Sequence, residues 1–117
     1  MPYMLMIVEP IGQRATRTEA QGREVYERMR QWGQELQSRG QLQAMESLAS
    51  ERHATRVERR NGETRLLDGP YAEAKEMVGG FFLLDVATLD EALALAAECP
   101  AAEWCTVEVR QVGPCWA

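Results

Sequence analysis

The residues best equipped for chemistry lie in one stretch, Asp68 to Gly80, which reads DGPYAEAKEMVGG. Carboxylates and an ammonium set side by side, here Asp68, Lys75 and Glu76, are the groups that cofactor-free proton transfer requires. These are the candidate catalytic residues. A lysine ammonium also binds an anionic substrate group, and Tyr71 and Glu73, interleaved with the charges, are candidate ligand contacts. Helix formers from Tyr71 to Met77, behind a capping Asp68 and an early Pro70, predict one or two helical turns. Glu73 and Glu76 would then share a face and repel each other, an arrangement that poises a carboxyl for acid/base work. The plainer readings are an N-cap for Asp68, a surface charge for Lys75 and a solvated first-turn acid for Glu73.

Glu108 and Arg110 form a second candidate pair of ligand contacts. From Cys105 to Val112 the residues alternate, with Val107 and Val109 on one face and Thr106, Glu108 and Arg110 on the other. If the valines face the core, the charged pair lies on the opposite sheet face, where it needs a ligand or an ion-pair partner. His53, the single histidine, reads as a surface residue of a polar arm, and Trp32 and Trp104 as core or interface. Cys99, Cys105 and Cys115 form no CxxC pair and have no metal-ligand spacing, so no metal site is expected. No phosphate-cradling loop and no GxSxG elbow is present, and nothing calls for a cofactor.

The elements that must position these residues follow from periodicity and turn chemistry. Tyr3 to Val8 is an apolar run that reads as a central strand buried on both faces. Thr16-x-x-Glu19 or Thr18-x-x-Gln21 opens a helix running to Arg39, with Val25, Met29, Trp32 and Leu36 as its buried stripe and Gly40 at its end. Leu42 to Leu48 is a second strand. His53 to Arg60 and Glu63 to Leu67 flank Asn61-Gly62, the signal of a two-residue hairpin, and the charged first arm predicts an exposed edge. Asp68-Gly69-Pro70 reverses the chain. Gly79-Gly80 then stops the short helix and opens a buried strand, Gly80 to Val86. Thr88-x-x-Glu91 caps a helix ended by Pro100, and Cys105 to Val112 is the last strand.

Setting aside an insertion at residues 50–78, the order is strand, helix, strand, strand, helix, strand. The expected fold is therefore α+β, ferredoxin-like βαββαβ with an inserted β-hairpin and short helix, in one domain spanning 1–117. Both helices of that fold cover one sheet face, and a bare face this apolar demands a cover, so a homodimer is expected. A net charge of −5 with scattered arginines argues against nucleic acid. No apolar run reaches bilayer length, which argues against a membrane, and with no leader evident at Met1 a cytoplasmic protein with reduced thiols is expected.

DGPYAEAKEMVGGFFLLDV, followed by LDEALALAAECP and VEVR, resembles the DGPF-domain branch of the YCII-related family over nearly the whole chain. The resemblance implies pairing of two sheets into a dimeric α/β barrel with a cleft beside each. Shorter YCII-like proteins carry a histidine in the first helix paired with an aspartate as a catalytic dyad. Glu19 to Arg39 contains neither residue, so that dyad cannot operate here. Tyr71 stands where phenylalanine is usual, and Gln111 where proline is common. The branch is also associated with sigma-factor genes of the extracytoplasmic class.

Two functions follow as expectations. One is a small-molecule enzyme or binder, its cleft lined by Tyr71, Lys75, Glu76 and Arg110, working without cofactor by lyase- or isomerase-like proton transfer on a small anionic or cyclic ligand. The other is a non-catalytic dimeric interaction module, accessory to transcriptional regulation through sigma factors, with the hairpin Arg56 to Arg65 as its contact surface. A haem-dependent or cofactor-free monooxygenase, as other dimeric barrels host, is a third possibility that none of these residues requires.

Overall fold

The computed structural model describes residues 2–117. Tyr3–Pro10 forms β1, Glu19–Ser38 α1, Leu42–Ser47 β2, Thr55–Arg60 β3, Glu63–Asp68 β4, Glu76–Leu84 β5, Leu89–Glu98 α2 and Thr106–Gln111 β6. Short 3₁₀ turns occupy Arg14–Thr16, Glu51–His53 and Pro100–Glu103. The main sheet has the order β2-β5-β1-β6, all antiparallel, while β3 and β4 pair only with each other. This is the α+β, ferredoxin-like arrangement, with the β3–β4 hairpin inserted between its second and third core strands.

Along β1 the buried residues Tyr3, Leu5 and Ile7 alternate with half-buried Met4, Met6 and Val8. Directly opposed residues of an antiparallel pair share a face. Leu5 therefore lies beside Phe82 and Val109, and Ile7 beside Val107. That face packs on Trp32 and Leu36 of α1 and Ala92, Leu95 and Ala96 of α2. Trp32 meets Phe82 edge to face, ring centroids 5.0 Å apart. The other face carries Met4, Met6, Phe81 and Leu83, with Glu108 opposite Met6 and Arg110 opposite Met4. The molecule is only 19 Å across its thinnest direction, the depth of one sheet and one helix layer. β1, read as buried on both faces, is covered by its own chain on one.

Reciprocal capping boxes start both helices. Gln21 N–H donates to Thr18 Oγ1 at 3.1 Å and Thr18 N–H to Gln21 Oε1 at 2.9 Å, while Thr88 and Glu91 repeat the device for α2. Of the two possible boxes at α1, the second is the one used.

Three local expectations are corrected. Tyr71 to Met77 is not helical: Ala74 N–H donates to Tyr71 O in a single turn, and Glu76 already belongs to β5. Pairing of Glu76, Met77 and Val78 with the end of β1 overrides the local helix propensity. Gly79-Gly80 therefore does not stop a helix. It lies inside β5, where the register with β1 slips between Ile7 and Val8, a β-bulge. His53 sits in a 3₁₀ turn ahead of the hairpin rather than on its arm.

Candidate functional site

The end of β1 turns at Gly12 into the 3₁₀ turn that carries Arg14. That turn returns the Arg14 guanidinium to Glu9. Arg14 Nε donates to Glu9 Oε1 at 2.6 Å, and Nη2 reaches Oε2 at 3.4 Å. Arg14 Nη1 donates to Leu48 O at 2.8 Å and Nη2 to Gly79 O at 3.4 Å. One guanidinium thus joins the end of β1, the residue after β2 and the bulge of β5. Glu9, 8% exposed, is the one buried charged residue among the described residues. A buried carboxylate needs such a fork of donors to offset its lost hydration.

The bulge makes the pair possible. A Cβ on Gly79 would overlap the Glu9 carboxylate and come within 2.8 Å of Arg14 Nη2. One on Gly80 would stand 2.8 Å from Glu46 O of the neighbouring strand. Sequence reasoning missed Glu9 and Arg14, since two charges five residues apart around a Pro-Ile-Gly break read as an ordinary turn. The usable signal was the glycine pair inside an otherwise apolar strand, which marks close approach of other atoms.

Above this pair, between the first half of α1 and the sheet, lies a cleft of about 810 Å³. That size suits a small organic molecule. Its lining combines Glu9 and Arg14 with Ile7, Met29, Met45 and Phe82, while Arg17 and Trp104 stand at one wall. Trp104 is held by Arg28, whose guanidinium carbon is 5.3 Å from the ring centroid, and Arg28 pairs with Glu103 at 2.9 Å. The hydrogen bonds from Arg28 hold the Glu103 carboxyl below its usual range. Burial, and then the neighbouring Glu9, push the Cys105 thiol above its ordinary value.

The seven residues nominated from the sequence lie outside the lining of this cleft. Asp68 accepts from Thr55 Oγ1 at 2.9 Å across the base of the hairpin. Tyr71 N–H donates to Glu51 Oε2 at 2.7 Å, its hydroxyl donates to Leu67 O at 3.0 Å, and its ring lies 3.7 Å below the Arg56 guanidinium. These contacts clamp the hairpin where it leaves the body. Glu73, Lys75 and Glu76 are exposed, without an ion-pair partner among the described residues. The Lys75 carbonyl accepts from Ile11 N–H, and Glu76 opposes Pro10. Glu108 and Arg110 pair with each other at 2.9 Å along β6. The structure therefore gathers Asp68 and Tyr71 at the hairpin base and leaves Glu108 and Arg110 on the uncovered sheet face. Among the described residues no group of three or more His, Cys, Asp or Glu could hold a metal ion. No helix described is long and apolar enough to cross a membrane.

The family model for the YCII-related domain matches residues 1–115. The chain belongs to the YCII-related family. A 35-residue segment, 30% of the chain, is 60% identical to an uncharacterized protein of Rhizobium meliloti (strain 1021), and the match spans 28% of that protein's length.

Proposed function

We propose that this YCII-related protein is a homodimer that binds a small molecule in the cleft between α1 and the sheet, with Glu9 as the proton-transferring carboxylate. The observation that carries this reading is the buried Glu9 carboxylate, paired with half-buried Arg14, at a cleft whose lining mixes apolar and charged side chains. Glu9 Oε2 makes only the longer contact to Arg14, so it retains capacity to accept a proton from a bound molecule. Arg14 orients the carboxylate through Nε. Such a site suits cofactor-free, lyase- or isomerase-like proton transfer. The homodimer is supported by the uncovered row Met4, Met6, Phe81 and Leu83, which a second sheet would bury. Asp68, Lys75 and Glu76 as catalytic groups, with Tyr71, Glu73, Glu108 and Arg110 as ligand contacts, form a competing location for the chemistry.

The two locations separate in one experiment. A library of small carboxylic acids and cyclic compounds is screened by NMR against the parent, Glu9→Gln, and the double variant Lys75→Ala with Glu76→Gln. Shifts confined to cleft amides, kept by the double variant and lost or altered in Glu9→Gln, support the cleft. Loss of binding only in the double variant moves the site to the segment after the hairpin.

A second reading has its own observation. Val57 and Leu66 oppose each other on the hairpin and are 65% and 69% exposed, and Leu67 is 58% exposed. An apolar patch on an arm clamped at its base suits contact with a partner protein, as an interaction module requires. Val57→Ser with Leu66→Ser would abolish such a contact without touching the cleft.

A further inference from the structure

We infer that the cleft takes a monoanionic ligand, a carboxylate carried on an apolar ring, and that Arg17 is the residue that holds the carboxylate. The inference rests on the reading of the cleft as a ligand site. Four guanidiniums line the cleft: Arg14, Arg17, Arg23 and Arg30. Three of them already face carboxylates. Arg14 lies 2.6 Å from Glu9, Arg23 lies 2.9 Å from Glu19, and Arg30 lies 2.6 Å from Glu27. Arg17 has no carboxylate within ion-pair reach among the described residues. It is half-buried, with its guanidinium carbon 6.0 Å from the Trp104 ring centroid.

A cation drawn partly out of water without a counter-ion gains more from an arriving anion than a fully solvated one does. The planar guanidinium fork matches a carboxylate in two parallel hydrogen bonds. Beside Arg17 the lining turns apolar, with Trp104, Met29, Phe82 and Ile7 offering a surface for a ring. Glu9, its carboxylate already engaged by Arg14, also lines the cleft. One unmatched arginine among acidic neighbours favours a single negative charge over a phosphate dianion, which would need more cations.

The test titrates the full chain with 1-naphthoate and with its neutral isostere 1-naphthamide, following cleft amides by NMR. The parent should bind the acid roughly tenfold or more tightly than the amide, about 1.4 kcal/mol. Arg17→Gln should erase that difference, and Arg17→Lys should restore part of it. Because Arg17 takes part in no ion pair, the far-ultraviolet spectrum of Arg17→Gln should match the parent and confirm its fold. Equal affinity for acid and amide in the parent, or a preference that survives in Arg17→Gln, overturns the anchor while the cleft remains a binding site. Binding of neither compound at cleft amides overturns both the anchor and the cleft reading beneath it.

Discussion

Gly79 leaves open the space that the Glu9 carboxylate occupies: a Cβ there would overlap Oε2 and crowd Arg14 Nη2 to 2.8 Å. Gly79→Ala must therefore displace the Glu9–Arg14 pair or bend β5. It should destabilise the protein by about 1–3 kcal/mol in urea unfolding. Gly22 in α1 is the control. A Cβ there meets nothing within 4 Å, so Gly22→Ala should stabilise by about 0.5–1 kcal/mol. Equal effects of the two changes would show that Gly79 has no special role.

Removing Arg14 leaves the Glu9 carboxylate buried without compensation. Arg14→Met should cost about 2–3 kcal/mol, less than breaking a fully buried pair because the Arg14 side chain is itself partly exposed. Arg14→Met combined with Glu9→Gln should cost clearly less than the two changes summed, because no uncompensated charge remains. A double-mutant cycle measures the difference, and strict additivity would mean that the two groups do not interact.

Leu83 lies opposite Met4 on the uncovered sheet face, beside Arg110 across β1. Leu83→Glu should convert the proposed homodimer to a folded monomer, read by sedimentation at micromolar concentration with an unchanged far-ultraviolet spectrum. A parent protein that sediments as a monomer refutes the homodimer, and a dimeric Leu83→Glu places its interface elsewhere.

Cys99, 1% exposed, has its thiol pushed by burial from an ordinary value of 9.0 to about 11. Between those values the unfolded chain releases the proton and the folded chain keeps it. The folded state then binds more protons, so stability falls as pH rises through that window. The loss amounts to roughly 2–3 kcal/mol across two pH units. Below pH 9 this contribution is fully present. Chemical denaturation from pH 8 to 11 should show the decline, and Cys99→Ala should flatten it. A decline of the same steepness in Cys99→Ala would assign it to other groups.

The fold was legible because its signals are local and mutually consistent. Thr18 and Thr88 announce their helices through paired glutamine and glutamate three residues on, and Asn61-Gly62 announces the hairpin. Both turn residues have positive φ, 53° and 78°. The alternation of Val107 and Val109 against Glu108 and Arg110 placed those pairs on opposite faces, as the β1–β6 register has them. What failed was Tyr71 to Met77, where composition favoured helix but a partner strand distant in sequence decided otherwise. The cleft escaped for a related reason. Glu9 is the last inward-facing residue of β1 and its neighbour Arg14 comes from the following turn, so neither lies in a motif. The glycines that admit them stand some seventy positions later, and only the sheet register brings the three together.

Arg14 grips Leu48 O, and the Leu48 amide in turn donates to Gly79 O at 2.9 Å. The floor of the cleft and the rim of the sheet are consequently one mechanical unit. Any guest that draws the Glu9 carboxylate toward itself tugs on that rim, loosening or tightening a backbone link outside the cavity. Occupancy would be felt as a change in how often the Leu48 amide opens to solvent, so an event inside the molecule would be broadcast along its edge.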